Sequence, residues 1–239
     1  MTRPEKLKIK IFADGADLAG ILEMYANPLI QGFTTNPTLM RKAGVTDYEA
    51  FAKALLAKVR DRPVSLEVFA DDFAEMERQA RKIASWGVNV NVKIPITDTK
   101  GASAAPLIER LSKSGVTVNV TAMMTLEQVR AVRGALAPDA PAIVSVFAGR
   151  VADTGVDPVP HMTECLHILS DRPNAELLWA SPRELLNVFQ ADAIGCHIIT
   201  ATNDILKKLN LVGKDLDAYS RETVEMFRRD AVSAGYDIG

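Results

Sequence analysis

The chain has 239 residues, 48% of them hydrophobic, which is enough for the core of one large domain or two small ones. Its 28 basic and 30 acidic residues give a formal net charge of -2, so no bulk field attracts nucleic acid or an anionic membrane. No apolar run approaches the roughly 18 residues of a membrane span and the N-terminal MTRPEKLKIK lacks the apolar centre of a signal peptide, so we expect a soluble, cytoplasmic protein.

Eight short stretches rich in β-branched residues follow one another along the chain. The predicted strands are KIKIFA (8–13), IQGFTTN (30–36), VSLEVFA (64–70), VNVNVKIP (88–95), VTVNVTA (116–122), AIVSVFA (142–148), ELLWAS (176–181) and HIIT (197–200). Helices are predicted between them in DDFAEMERQARKIASWG, TLEQVRAVRGALAP and PRELLNVFQADAIG, the last with a proline in its first turn. DLDAYSRETVEMFRRDAVSAGY predicts a longer closing helix.

The alternation of strands and helices favours parallel βαβ units. Eight such units in fewer than 250 residues fit a (β/α)8 TIM barrel, with the closing helix as an addition. The alternative is an open doubly wound sheet, but no GxGxxG follows the first strand. No linker or low-complexity tract divides the chain, so we assign residues 1–239 to a single domain.

Four polar residues interrupt the aliphatic runs at a constant spacing of 26 residues: Glu67, Lys93, Asn119 and Ser145. In a barrel the alternate strand positions face the helices, so these four side chains are predicted to point inward. The helix-facing positions are then Leu66, Val68, Val92, Ile94, Val118, Val120, Val144 and Val146. Solvated faces of antiparallel strands are an alternative, which the long helical connections disfavour; a leucine-rich solenoid would need the LxxLxLxxN pattern, which is missing.

An inward lysine indicates a specific chemistry. If Lys93 lies among neutral polar groups in a partly desolvated barrel mouth, its ammonium form is disfavoured and its pKa moves toward neutrality. The free amine can then attack a carbonyl and form a Schiff base, an electron sink that allows a neighbouring carbon–carbon bond to break. Glu67 and Asp14 are the candidates for moving protons.

Metal chemistry has few ligands in this sequence. Cys165 and Cys196 lie in apolar settings without CxxC spacing, which predicts buried structural thiols. The three histidines, His161, His167 and His197, form no metal-binding motif. We therefore expect neither a metal nor a cofactor.

Several strand-end residues also have structural interpretations. Asp14 in FADGAD is a possible helix cap, and Asn36 in TTNPT is a possible turn residue. Arg150 in FAGR and Arg183 in SPRE are possible surface charges. Their joint position at the carboxyl ends of successive strands favours a functional site.

Seven of these motifs, taken in order, resemble the strand ends of the transaldolase family: IFADGAD, GFTTNPTLM, SLEVFA, VNVKIPIT, VNVTAMMT, IVSVFAGRVAD and WASPREL. The resemblance runs from about residue 9 to the final helix, and the length is similar to that of the short-chain branch, which is related to fructose-6-phosphate aldolase. It implies a (β/α)8 barrel, Schiff-base catalysis without a cofactor, and sugar-phosphate substrates.

The resemblance also implies residue roles. Lys93 matches the lysine that captures the ketose carbonyl, Asp14 the acid/base in bond cleavage, and Glu67 with Thr121 the pair that holds the water of Schiff-base formation. Asn36 and Asn119 match residues that bind substrate hydroxyl groups. The other implied binding residues are Ser145, Phe147 and a phosphate-binding set of Arg150, Ser181 and Arg183.

The implied reaction transfers a dihydroxyacetone unit from fructose 6-phosphate or sedoheptulose 7-phosphate to an aldose phosphate. The alternatives are fructose-6-phosphate aldolase, which releases the unit, and a non-catalytic sugar-phosphate-binding barrel. Glu67 and Phe147 resemble the transaldolases, whereas the aldolases have glutamine and tyrosine at these positions. The resemblance therefore favours transfer.

Two positions, Gly15 and Pro182, depart from the family pattern. Gly15 stands where a hydroxyl residue is usual, which puts the orientation of Asp14 in doubt. Pro182 replaces a common aromatic, and with Trp179 nearby the shape of the phosphate pocket is in doubt. From the resemblance we expect a homo-oligomer (dimer, pentamer or decamer) in which the terminal helix reaches a neighbour. Packing of that helix on its own barrel is an equally compatible alternative.

Overall fold

A computed structural model describes residues 4–239 and contains one closed barrel of parallel strands. The strands pair in sequence order, and β1 also pairs with β8, which closes the ring. They are β1 (Lys10–Asp14), β2 (Ile30–Thr34), β3 (Val64–Glu67), β4 (Val90–Pro95), β5 (Val118–Met123), β6 (Ala142–Val146), β7 (Ala175–Trp179) and β8 (Ile198–Thr202). The predicted (β/α)8 barrel is confirmed.

Helices surround the barrel and connect its strands. Those in the described chain are α1 (Leu18–Tyr25), α2 (Pro37–Lys42), α3 (Tyr48–Lys58), α4 (Phe73–Ala84), α5 (Ala105–Lys113), α6 (Leu126–Ala135), α7 (Ala148–Asp153), α8 (Pro158–Ile168), α9 (Leu186–Ala193), α10 (Asn203–Leu206) and α11 (Leu216–Ser233). Short 3-10 turns lie at Pro4–Lys6 and Lys207–Leu211. The predicted closing helix is α11.

Some predicted strands are too long at their carboxyl ends. β2 ends at Thr34, because Asn36 caps α2 by accepting a hydrogen bond from the Leu39 amide. β6 ends at Val146, and Phe147 is the residue before α7. The helix predicted from the PREL segment also begins later than expected, at Leu186.

The two faces of each strand meet different surroundings. All eight predicted helix-facing residues of β3 to β6, Leu66 and Val68 among them, belong to the apolar core between barrel and helices. A smaller inward cluster fills the barrel below its carboxyl end and consists of Phe12, Ile143, Leu178, Ala180 and Ile198. Gly32 allows this filling, because a Cβ at its position would lie 2.5 Å from the Phe12 ring.

The register of the strands brings three of the four inward polar residues to one height. Glu67 is paired with Lys93, and Lys93 is paired with Asn119. Ser145 on β6 is joined to Asn119 by a hydrogen bond between the side chains. The 26-residue spacing therefore places Glu67, Lys93 and Asn119 at one height on successive strands. Asn119 is paired with Ile143, so Ser145 lies two residues further along β6.

Both cysteines are buried free thiols, as predicted. Burial raises the pKa of Cys165 and of Cys196 to about 12, so neither is a thiolate at neutral pH. The Cys196 thiol donates weak hydrogen bonds to strand carbonyl oxygens. These residues therefore behave as small apolar parts of the core.

The final helix differs from the others in its packing. No residue of α11 is buried within the described chain, although the helix carries several large apolar side chains: Leu216, Tyr219, Val224, Met226, Phe227 and Val232. Among the helices of residues 4–239, none combines the length and apolar character needed to cross a bilayer. Exposed apolar patches of this kind occur in many proteins at surfaces that bind another molecule.

Candidate active site at the carboxyl end of the barrel

A cavity of about 650 Å³ opens at the carboxyl ends of the strands. All eleven residues singled out in the sequence line it: Asp14, Asn36, Glu67, Lys93, Asn119, Thr121, Ser145, Phe147, Arg150, Ser181 and Arg183. They come from seven of the eight strand ends and the segments that follow. This is the end of a (β/α)8 barrel where active sites occur.

Lys93 lies at the bottom of the cavity and is 7% exposed. Its Nζ atom donates hydrogen bonds to Glu67 Oε2 at 2.8 Å and to the Thr35 carbonyl oxygen at 2.7 Å. The expectation that Lys93 lies among neutral groups was therefore wrong, because the strand register places a carboxylate directly beside the amine. The pair is well shielded, with the Lys93 and Glu67 side chains 8% and 16% exposed.

The end of β3 is supported from behind by an aromatic cluster. The Tyr48 hydroxyl donates a hydrogen bond to the Glu67 backbone oxygen at 3.0 Å, and the ring packs edge-on against Phe69 and Trp86. Burial raises the pKa of Tyr48, so it remains a neutral donor. These contacts fix the backbone from which Glu67 extends toward Lys93.

Asp14 is held by two hydrogen bonds from β2 and the segment after it. Thr34 Oγ1 donates to Oδ1 at 2.7 Å, and Asn36 Nδ2 donates to Oδ2 at 3.2 Å. Desolvation raises the pKa of Asp14, although the nearby Lys93 charge and the Thr34 hydrogen bond oppose the shift. A raised pKa brings a carboxyl group closer to the range in which it exchanges protons efficiently at neutral pH.

The structural alternatives for Asp14 and Asn36 have different outcomes. Asp17, not Asp14, caps α1, by accepting from the Gly20 amide at 2.8 Å. Asn36 does cap α2, and its amide nitrogen still reaches Asp14. Gly15 contributes no side chain, and Thr34 and Asn36 supply the contacts that hold the carboxylate.

A second group of hydrogen bonds crosses the barrel interior. Ser145 Oγ donates to Asn119 Oδ1 at 2.7 Å, and Asn119 Nδ2 donates to Ser65 Oγ at 3.0 Å. All three side chains are buried. These two hydrogen bonds fix the orientation of the Asn119 amide beside Lys93.

Thr121 lies next to an irregularity in β5. The register between β5 and β6 shifts between Val120 and Met123, and Ala122 adopts a left-handed φ of 62°. Such a φ is uncommon for a residue other than glycine and occurs preferentially at functional sites. Thr121 follows the inward Asn119 by one strand period and lines the cavity wall beside this irregularity.

The rim of the cavity carries the two predicted arginines, and both are exposed. The Arg150 guanidinium lies 5.5 Å from the centre of the Phe147 ring. Arg183 Nε donates to Asp153 Oδ1 at 2.9 Å, and its Nη2 atom bonds the other carboxylate oxygen. Both arginines are therefore surface charges, and both also line the cavity.

A close backbone contact holds the two rim segments together. Ser181 has a left-handed φ of 59°, and a Cβ on Gly149 would lie 1.5 Å from the Ser181 carbonyl oxygen. Only glycine permits this approach. Pro182 is buried and lines the cavity, whereas Trp179 faces the helices and is fully buried there. The predicted influence of Trp179 on the pocket is therefore not through direct contact.

The sequence analysis did not identify every residue of the site, and those missed include Thr34, Ser65, Thr200 and Asp153. The Thr200 hydroxyl lies 2.6 Å from the Thr34 hydroxyl, which in turn donates to Asp14. Thr34 stands one strand period before Asn36, and that spacing could have identified Thr34 as a residue of the same face.

Within residues 4–239, no group of three or more histidine, cysteine, aspartate or glutamate side chains is arranged to hold a metal ion.

Comparison with known proteins identifies relatives across almost the whole chain. Residues 11–238 match the family model described as Transaldolase/Fructose-6-phosphate aldolase. A protein of Dehalococcoides mccartyi named "Probable transaldolase" is 36% identical over 202 residues, which cover 84% of this chain and 90% of that protein. A protein of Thermoanaerobacter sp. with the same name is 32% identical over 231 residues, which cover 96% of this chain and 100% of that protein.

Solved structures with low sequence identity share the fold. The crystal structure of 3-hexulose-6-phosphate synthase from Salmonella typhimurium gives a TM-score of 0.57 at 17% identity, covering 84% of this chain and 91% of that one. The crystal structure of 2,3-dimethylmalate lyase gives a TM-score of 0.54 at 15% identity, and the match covers 100% of this chain and 91% of that one. With the family match along residues 11–238, the chain belongs to the Transaldolase/Fructose-6-phosphate aldolase family.

Proposed function

We propose that this protein is a transaldolase, which transfers a dihydroxyacetone unit from a ketose phosphate to an aldose phosphate through a Schiff base on Lys93. The donors are fructose 6-phosphate or sedoheptulose 7-phosphate. The observation that carries the proposal is the shielded Lys93–Glu67 pair, 2.8 Å apart, at the bottom of a cavity that also contains Asp14. An amine in this position is accessible to a substrate carbonyl only from the cavity.

The first stage is formation of the Schiff base. Proton transfer within the pair gives the Lys93 amine a free lone pair, and the nitrogen attacks the ketose carbonyl carbon. The resulting carbinolamine loses its hydroxyl group as water, with Glu67 as the proton donor. Thr121 on the neighbouring strand end is placed to hold that water, as its position on the cavity wall supports.

The second stage is bond cleavage. Asp14, as a carboxylate, accepts the proton of the substrate hydroxyl group while the adjacent carbon–carbon bond breaks. The electron pair of that bond moves toward the iminium nitrogen. An aldose phosphate leaves, and a three-carbon enamine remains on Lys93. The acceptor aldehyde then enters, and the same steps run in reverse with Asp14 as the acid.

Phosphate recognition is assigned to Arg150, Ser181 and Arg183 at the rim. Guanidinium groups suit phosphate oxygens because their N–H groups form a planar fork. Two arginines at one edge of the cavity support binding of an anionic substrate by a chain whose net charge is only -2. The sugar hydroxyl groups then lie along Asn36 and Asn119, between the rim and Lys93.

A donor–acceptor assay tests transfer against the alternatives. With fructose 6-phosphate and erythrose 4-phosphate, we expect sedoheptulose 7-phosphate and glyceraldehyde 3-phosphate to form many times faster than dihydroxyacetone forms without acceptor. Glu67 and Phe147, which resemble the transaldolases, motivate this direction. Equally rapid release of dihydroxyacetone without acceptor would identify an aldolase, and binding without turnover would identify a non-catalytic barrel.

The oligomeric state is a further part of the proposal. We propose that the chain forms a homo-oligomer in which the exposed apolar side chains of α11 contact a neighbouring subunit. Phe227 is 63% exposed and Val224 is 64% exposed, and burial of such residues in an interface is favourable. Sedimentation of the full chain should give a mass above that of a monomer, and a Phe227→Asp variant should shift the distribution toward monomer. A wild type that remains monomeric would contradict this part.

A further inference from the structure

A carboxylate belongs to the same rim as the two arginines. Asp153 is the last residue of α7, three residues after Arg150, and its two oxygens bond Nε and Nη2 of Arg183. These bonds use the side edge of the guanidinium group, which is one of its two forks for an oxyanion. The side chains of Arg150, Arg183 and Asp153 together carry a net charge of +1.

Asp153 is ionised at neutral pH. The hydrogen bond from Arg183 lowers its pKa below the usual aspartate value, the Arg183 and Arg150 charges act in the same direction, and desolvation opposes them. The Asp153 and Arg183 side chains are 52% and 46% exposed. Exposed ion pairs are weak and screened by salt, so another anion can displace this one.

The contact is not required to hold the two segments together. The backbone approach of Gly149 to Ser181 already joins α7 to the segment after β7, and the Gly149 amide donates to the Ala180 oxygen at 3.3 Å. The carboxylate also lies at the carboxyl end of α7, where the helix dipole disfavours a negative charge. Neither backbone packing nor helix stability accounts for a carboxylate at this position.

We propose that Asp153 is the internal counter-ion of the phosphate subsite, competes with the substrate phosphate for Arg183, and thereby limits phosphate affinity. The proposal rests on the assignment of Arg183 to phosphate binding. A transferase must release one aldose phosphate before another enters. Asp153 re-forms its bonds to Arg183 as a phosphate leaves, so Arg183 always has an anionic partner and release is accelerated.

The test uses inorganic phosphate as a competitive inhibitor of turnover with fructose 6-phosphate and erythrose 4-phosphate. Asp153→Asn keeps the shape of the side chain and removes its charge. We expect the inhibition constant of phosphate and the KM for fructose 6-phosphate each to fall by about 3-fold or more, with a steeper dependence on ionic strength and no increase in kcat.

The matched control is Asp171→Asn. Asp171 also binds Nε and Nη2 of an arginine, Arg133, and is similarly exposed, but it precedes β7 at the opposite end of the barrel. This variant should leave the inhibition constant unchanged. Tightening in both variants would reflect bulk charge alone and would overturn the proposal.

Two outcomes separate this inference from the proposed function. If Arg183→Gln weakens inhibition by phosphate but Asp153→Asn leaves it unchanged or weakens it, Asp153 only positions Arg183, and the counter-ion role is wrong. If Arg183→Gln does not affect inhibition, the phosphate assignment itself is wrong. The proposal is supported if Asp153→Asn alone lowers the inhibition constant of phosphate, and if the same substitution has no effect in a protein that already carries Arg183→Gln.

Discussion

Replacing Lys93 with methionine is expected to abolish the covalent intermediate and lower kcat/KM by at least about 10³-fold, because no other group can form the Schiff base. Borohydride reduction in the presence of fructose 6-phosphate should trap a three-carbon adduct on the wild-type enzyme. The modified lysine resists trypsin, so the adduct should appear on a peptide spanning residues 83–100. The Lys93→Met variant should give no adduct.

Removal of Lys93 leaves the Glu67 carboxylate without its partner, and loss of activity through misfolding must be distinguished from loss of the nucleophile. Lys93→Arg serves this purpose, since arginine keeps a positive charge beside Glu67 but cannot act as an amine nucleophile. We expect it to be folded, by circular dichroism and thermal unfolding, and as inactive as Lys93→Met. Substantial transfer activity in either variant would contradict the mechanism.

The barrel also contains a matched control lysine. Lys10 points into the opposite end of the barrel and pairs with Glu176 at 2.7 Å, a geometry similar to that of Lys93 and Glu67. Lys10 is far more exposed, at 46% of its side chain, and lies outside the cavity of the candidate site. Lys10→Met should therefore retain the adduct on Lys93. An adduct on Lys10 in the wild type would mean that reactivity does not depend on the site.

The sequence predicts the barrel and the inward polar layer because both depend on local periodicity. Alternation of two residues determines which side chains share a face, and the 26-residue spacing relates Glu67 to Lys93 and Asn119 across successive strands. The ion pair itself requires the strand register, which alternation does not specify. The neutral surroundings expected for Lys93 were wrong for that reason.

Other features depend on contacts between segments distant in sequence. Asp153 and Arg183 are 30 residues apart and meet only because α7 and the segment after β7 approach at Gly149. No residue pattern predicts the left-handed φ of Ser181, since serine is not typical of that conformation. The strand predicted through Asn36 was too long because capping competes with strand pairing there, and the cap prevails.

Replacing Asp14 with asparagine is expected to separate Schiff-base formation from bond cleavage. The amide has nearly the shape of the carboxylate but cannot accept the proton of the substrate hydroxyl group. We expect kcat for transfer to fall by about 10²- to 10⁴-fold, the usual contribution of a general base. Borohydride should then trap an adduct that carries the whole ketose phosphate, rather than the three-carbon unit, on Lys93.

The ionisation of Asp14 gives this prediction a pH dependence. Because desolvation raises the pKa of Asp14 above the usual value of 3.8, the wild-type kcat should decline with falling pH already above that value. The sign follows from the role of Asp14 as a base, which must be ionised before cleavage. The Asp14→Asn variant should lack this acidic limb in its remaining activity.

Asp17→Asn is the matched control, because it removes a carboxylate three residues away that caps α1 and lies outside the cavity. Asparagine is also a good helix cap, so stability and activity should both remain close to those of the wild type. The mass of the adduct decides the role of Asp14. If the Asp14→Asn variant accumulates the three-carbon adduct at the wild-type rate, cleavage does not use this carboxylate, and the proton must leave through Glu67 or through water.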